Sequence, residues 1–247
     1  FLKLNRHYLY SVMIRQIFLI LIPLLIFVGH TEAQQQKRVS THLLAQTLQK
    51  GKVINAEADL FFEFPSGQII MYNQLPEEFV FISNPLGESR LYQPKQKKMT
   101  IKASEVLTSR NNNLYYFLLN QTYDLGFKEL GFTIAGSEND GDVFVTTWQA
   151  PLHLLHQVDK IELVHENLLP IYAGYTNTNG EIVLKVYFDN FVQVYDSQIP
   201  ALITEIAFLP EGDSLIKRMV YSDFRFGSDC DPDKFIVNIP DDVKIIK

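Results

Sequence analysis

Alternation of apolar and polar side chains organises most of the chain. In residues 57–64, Ala58, Leu60, Phe62 and Phe64 alternate with Glu57, Asp59, Phe61 and Glu63, the period of a half-buried strand. Pro65-Ser66-Gly67 interrupts the pattern, and Gln68 to Asn73 resumes it as the second arm of a hairpin. Further strands are predicted at 79–83, 89–93 and 98–102, with Pro85, Gly87 and Pro94 marking turns. The second half continues with strands near 130–136, 142–149, 158–165, 169–176, 181–191, 202–209, 215–224 and 234–239. Asn179-Gly180, between two alternating runs, is the strongest hairpin signal in the chain.

Two segments break the alternation. Val39, Leu43, Leu44 and Leu48 recur at helical spacing, with Ser40 or Thr41 as a cap and Gly51 as a stop, so a helix is predicted over 39–49. Residues 112–125 hold Leu114, Tyr115, Phe117, Leu118, Tyr123 and Leu125 between an Asn-rich start and Gly126, which predicts a second helix lying over the sheet. The pattern therefore describes a mainly β domain: one antiparallel, hairpin-connected sheet with two or three helices.

The beginning of the chain reads as an address. Arg15 precedes an apolar run from Ile17 to Val28, and Thr31-Glu32-Ala33 leads into three glutamines. This is the layout of a signal peptide cut after Ala33. At about 1.5 Å per residue the run is short for a ~30 Å hydrocarbon core. Met13 is the expected initiator, residues 1–33 the signal and upstream segment, and residues 34–247 a single domain. The segment 1–33 carries Lys3, Arg6 and Arg15 against Glu32, so a net charge of −6 for the whole chain becomes −8 for the remainder. An acidic domain without a basic block has no electrostatic means of holding nucleic acid. Cys230 is the only cysteine, which excludes an intramolecular disulfide. Gln34 rather than cysteine follows the cut, so no lipid anchor is expected there.

The sequence nominates no catalytic residue. Gly-x-Ser-x-Gly, His-Glu-x-x-His and a phosphate-cradling glycine loop are all absent. His153 and His156 lie close together, but a zinc site needs a third ligand that the pattern does not nominate. Asp229-Cys230-Asp231-Pro232-Asp233 lacks the glycine and distal Glu of a calcium loop and reads as a polar turn. Its acids also raise rather than lower the thiol pKa. No metal and no cofactor is expected.

Aromatic content is what stands out, with 18 Phe and 12 Tyr, many of them on strands. Some strands are apolar on both sides, as at Leu60-Phe61-Phe62 and Val143-Phe144-Val145. Two explanations remain open: a sheet packed on both faces, or a curved sheet whose hollow takes a lipid-like ligand.

The order of elements resembles the LolA-like periplasmic carriers of outer-membrane lipoproteins. The residues that carry the likeness are Ser66-Gly67-Gln68-Ile69-Ile70 with Pro76-Glu77-Glu78-Phe79, then Ser83-Asn84 and Gly87 before Leu91-Tyr92-Gln93-Pro94. The ending, Lys234 to Pro240 followed by Val243-Lys244-Ile245-Ile246, is similar to the family's closing strand. The resemblance implies an unclosed antiparallel β-barrel, or half-barrel, with two or three helices covering its concave face. It also implies a monomeric, non-enzymatic periplasmic carrier that shields the acyl chains of lipoproteins or other lipids between an inner-membrane donor and an outer-membrane acceptor. Cavity candidates on the predicted strands are Phe62, Phe64, Met71, Phe81, Tyr92, Phe144 and Trp148, and lid candidates are Tyr115, Phe117 and Leu118. Carriers of this family often place Arg before the Pro of the Pro-x-x-Phe passage, where it helps hold the lid. Leu75 stands there in this chain, so that contact does not carry over. The alternative is a non-catalytic envelope module that recognises a protein partner through its sheet.

Overall fold

The computed structural model describes residues 38–103, 108–210 and 212–246. The expected signal peptide lies outside them. The strands are β1 (Arg38–Gln49), β2 (Lys52–Glu63), β3 (Gln68–Leu75), β4 (Phe79–Ser83), β5 (Glu88–Gln93), β6 (Lys98–Ala103) and β7 (Thr133–Asp140). They continue as β8 (Val143–Gln149), β9 (Lys160–Glu166), β10 (Leu169–Thr176), β11 (Ile182–Val194), β12 (Ser197–Phe208), β13 (Ser214–Phe226) and β14 (Lys244–Ile246). All fourteen belong to one sheet, ordered β14-β6-β5-β4-β3-β2-β1-β13-β12-β11-β10-β9-β8-β7. Two meanders, β1–β6 and β7–β13, meet where β1 pairs with β13. The end strands β14 and β7 do not pair with each other, so the curved sheet is an unclosed half-barrel.

The expected first helix is β1. It pairs along its whole length with β2 on one side and along most of it with β13 on the other. Two full ladders of backbone hydrogen bonds outweigh the weak helical preference of an eleven-residue window. Val39, Thr41 and Ala45 turn into the core while Leu44 and Leu48 stay exposed. Gly51 ends no helix: Lys50 and Gly51 both have positive φ and form the two-residue turn between β1 and β2.

The sheet has two apolar faces. On the inner face, Val39, Leu60, Phe62, Ile69, Trp148, Ile161, Leu163, Phe188, Ile203 and Tyr221 share one buried cluster with residues 114–118, 127 and 132. On the outer face, Phe61, Ile70 and Val80 pack with Cys230 and Phe235 of the C-terminal segment. That segment does not form the expected strand at 234–239. Asp231 accepts a hydrogen bond from the Asp233 amide at 3.1 Å and caps a 3-10 turn at Pro232–Phe235, which presses Phe235 edge-on against Phe61. Only beyond Pro240 does the chain rejoin the sheet, as β14 parallel to β6.

Helical cover is smaller than expected. Among the described residues there is one α-helical turn, α1 (Tyr115–Leu118), and five 3-10 turns. The predicted helix over 112–125 stops because Asn120, Leu125 and Gly126 take positive φ. Gly126 is required there for a second reason: a Cβ would overlap the ring of Tyr116.

The inner face and its cover

Residues 108–132 run across the inner face between β6 and β7 and supply its cover. Asn112 Oδ1 accepts from the Leu114 amide at 2.9 Å in the turn that leads into α1. Leu114, Tyr115, Tyr116, Phe117 and Leu118 are all buried, so this single turn is apolar all round and acts as a plug. Tyr115 meets Phe62 edge-on, with ring centroids 5.9 Å apart, and Phe117 lies 5.1 Å from Phe188 and 6.2 Å from Phe191. Farther along, Tyr123 and Phe127 flank Trp148 at 6.3 and 6.0 Å. The insert thus ties the β2 side of the half-barrel to the β8 side through aromatic rings.

Polar groups anchor the insert at few points. Asn113 Nδ2 donates to Glu205 Oε1 at 2.7 Å, Arg110 pairs with Glu129 at 3.2 Å, and His165 Nε2 lies 3.0 Å from the Thr122 carbonyl. Burial, with Glu129 nearby, pushes the Tyr116 hydroxyl up to about 12. Burial also lowers the pKa of His165, so its imidazole stays neutral.

Two hollows border the insert. The larger, about 640 Å³, is lined by Thr122, Tyr123, Asn139, Asp142, Phe144, His165 and Leu168 among others. It lies at the end of the sheet where the β7–β8 and β9–β10 turns meet. The smaller, about 280 Å³, lies between the insert and β10–β11, against Tyr116, Phe127, Tyr175 and Phe188.

The cavity candidates fall into four groups. Phe62 and Trp148 are inner-face residues, fully covered by the insert. Phe64 packs on Phe62 at 4.9 Å at the hairpin end, and Phe144 lines the larger hollow. Met71 and Phe81 share the inner face with buried Leu60 through the register Leu60–Met71–Phe81–Leu91, and both are partly exposed. Tyr92 lies on the outer face, paired with Val80 and packed with the Phe61 cluster, so it lines no inner-face hollow. The cause is parity: Leu91, one residue earlier, points inward. Tyr115, Phe117 and Leu118 sit together in α1. Leu75 is half-exposed, and the turn at Pro76 is held by Asn73, whose amide donates to the Leu75 and Glu77 carbonyls.

Sequence reasoning missed Tyr116, Phe127, His165 and Leu168. The Phe127-x-x-x-x-Phe132 spacing after Gly126 was the available sign of an apolar insert; His165 offered none, being one polar residue at a strand end. Among the described residues no cluster of three His, Cys, Asp or Glu side chains is placed to hold a metal. Buried Cys230 donates to the Arg225 carbonyl at 3.3 Å, and burial raises its pKa.

Solved structures with this architecture decide the fold. A LolA superfamily protein from Nitrosomonas europaea superposes with a TM-score of 0.53 at 11% identity, covering 83% of this chain and 91% of that one. A DUF1329 family protein from Desulfovibrio piger gives 0.57 at 11% identity over 83% and 92%. A Vibrio parahaemolyticus domain described as an outer membrane lipoprotein-sorting protein gives 0.55 at 16% identity over 81% and 89%. The fold is LolA-like. No protein-family model matches the sequence, and no curated protein matches it either. Within the LolA-like half-barrel, the insert over the inner face and the larger hollow beside Tyr123 form the candidate site.

Proposed function

We propose that the protein is a carrier that takes an acyl chain onto the inner face of its half-barrel, the cargo being a lipoprotein or another lipid in transit through the periplasm. The observation that carries this reading is the plug. The apolar insert around it, held by few polar anchors and bordered by two hollows, covers a face lined with Phe62, Trp148, Phe188 and Phe191. An alkyl chain replaces such side chains like for like, because each buried methylene contributes about 0.8 kcal/mol wherever it is buried. The partly exposed row Met71–Phe81–Leu91 extends the apolar surface beyond the plug. No reaction is needed for this task, and no cofactor. Among the described residues no helix is long and apolar enough to cross a membrane.

The experiment is recovery of the protein from its native compartment, followed by mass spectrometry for bound lipid or acylated peptide. Co-purifying acyl species support the carrier. Their consistent absence, with no uptake of lipoprotein from membranes, would sink it. One observation favours the second reading, a module that recognises a protein partner. All eight residues of edge strand β7 are exposed, so its outer side is a template for an added strand. A module of that kind binds an extended peptide and leaves Trp148 untouched.

A further inference from the structure

His165 is the one buried histidine among the described residues, and its two nitrogens are in different situations. Nε2 lies 3.0 Å from the Thr122 carbonyl, an acceptor, so Nε2 carries the proton and donates. Nδ1 then holds the lone pair. It is buried and has no hydrogen-bond partner. Buried acceptors are almost always satisfied, and an orphan one in a core calls for an explanation. Here the same side chain forms part of the wall of the 640 Å³ hollow.

The rest of that wall restricts what fits. Tyr123, Phe144 and Leu168 supply apolar surface, continuous with Trp148 through the Tyr123 ring. Asp142 is the charged residue of the lining, and no Lys or Arg accompanies it. Thr122, Asn139 and Asn167 of the lining are neutral, so a phosphate or carboxylate head would find no cation to balance the Asp142 charge, and at His165 Nδ1 only a lone pair. Leu168 adds an independent sign. It occupies a left-handed position, φ +67, in the two-residue β9–β10 turn, where Gly or Asn is the comfortable choice. It is also 88% exposed. A leucine placed against backbone preference and against solvent fits a rim that grips an alkyl chain.

We infer that this hollow is the head-group subsite of the carrier, and that it takes a non-anionic lipid head whose hydroxyl or amide N–H donates a hydrogen bond to His165 Nδ1. The inference rests on the carrier reading and adds the class of head group to it. The chain lies along Leu168, Phe144 and Tyr123, and the uncharged donor ends beside His165. Nδ1 is buried in this structure, so on this proposal a donor reaches it with a shift of the side chains that cover it.

Three ten-carbon probes separate the possibilities: 1-decanoylglycerol, which is uncharged and donates; methyl decanoate, which is uncharged and cannot donate; and decanoate, which is anionic. Each is titrated into the folded protein, with binding followed by displacement of a fluorescent acyl probe. The imidazole nitrogens are followed by NMR in the same samples. The expected result is a preference of about tenfold for decanoylglycerol over both others, the size of one satisfied hydrogen bond. The Nδ1 resonance moves only with that ligand. In His165→Phe the preference collapses. Equal binding of all three probes with an unmoved Nδ1 signal overturns the head-group subsite and leaves the carrier standing. Preferential binding of decanoate also overturns it. No binding of any probe overturns both readings. The NMR arm decides the matter in the native protein even if the variant fails to fold.

Discussion

Leu168 and His165 each sit where local preference argues for another residue, and each is testable alone. Leu168→Gly removes a side chain from a left-handed position that costs an L-residue about 1 kcal/mol. It also removes exposed apolar surface from the rim of the larger hollow. The expected outcome is an increase in unfolding free energy of about 1 kcal/mol, read by urea titration, together with weaker displacement of an acyl probe. A stabilised variant that binds acyl chains as well as the parent would remove Leu168 from the site. His165 makes stability depend on pH in a defined direction. Its folded pKa lies below 6.5, so as pH falls under that value the unfolded chain takes up a proton before the folded one does. The stability that His165 contributes is therefore complete above pH 6.5 and declines beneath it. Thermal melts from pH 7.5 to 5 should show this decline, and His165→Phe should show less of it.

At the scale of elements, the plug and the turns around it set the behaviour of the site. Phe117 is fully buried among Phe188 and Phe191, and Phe117→Ala is expected to cost about 3 kcal/mol of stability. A long-chain ligand should restore more stability to this variant than to the parent, because it fills the vacated space; thermal shift with and without ligand measures the difference. Trp148 is the chain's single tryptophan and sits against Tyr123 and Phe127 of the insert. A brominated acyl chain bound in the larger hollow, on the other side of the Tyr123 ring, should quench its fluorescence, while the unbrominated chain should not. Unchanged emission at saturating ligand would place the chain elsewhere. These elements were partly legible in the sequence. The Asn179-Gly180 hairpin forms as the pattern says, with Asn177 Oδ1 accepting from the Asn179 and Glu181 amides at 3.0 Å. The segment 112–125 announced a cover but not its shape. Its apolar spacing is helical, yet seating the Tyr116 ring against Gly126 required the backbone to turn.

At the scale of the whole molecule, two apolar faces need two covers, and different parts of the chain supply them. The insert covers the inner face; the C-terminal segment covers the outer one, with Phe235 on Phe61 and Arg38 stacked 4.4 Å above Phe235. Phe235→Ala should lower stability by about 3 kcal/mol in urea titrations. It should leave acyl-probe affinity of the folded fraction unchanged, since the sheet separates Phe235 from the ligand. A parallel loss of affinity would show that the two faces are coupled.

The division between sequence and tertiary structure follows from the range of the interactions. Alternation and turn chemistry are local, so the sequence by itself determined a mainly β domain and most of its hairpins. Together with the resemblance it also determined the half-barrel. What lay beyond it depended on partners distant in the chain. β1 reads as a helix until β13, some 170 residues later, offers a second ladder. Tyr92 and Leu91 are neighbours that can each pack in a core, and only the register across β4 sends one inward and the other out. His165 became notable only when Thr122, forty-three positions earlier, claimed one of its nitrogens and left the other facing none. Period is written in neighbouring residues. Which face is covered, by what, and with which polar atom left over was decided by the fold.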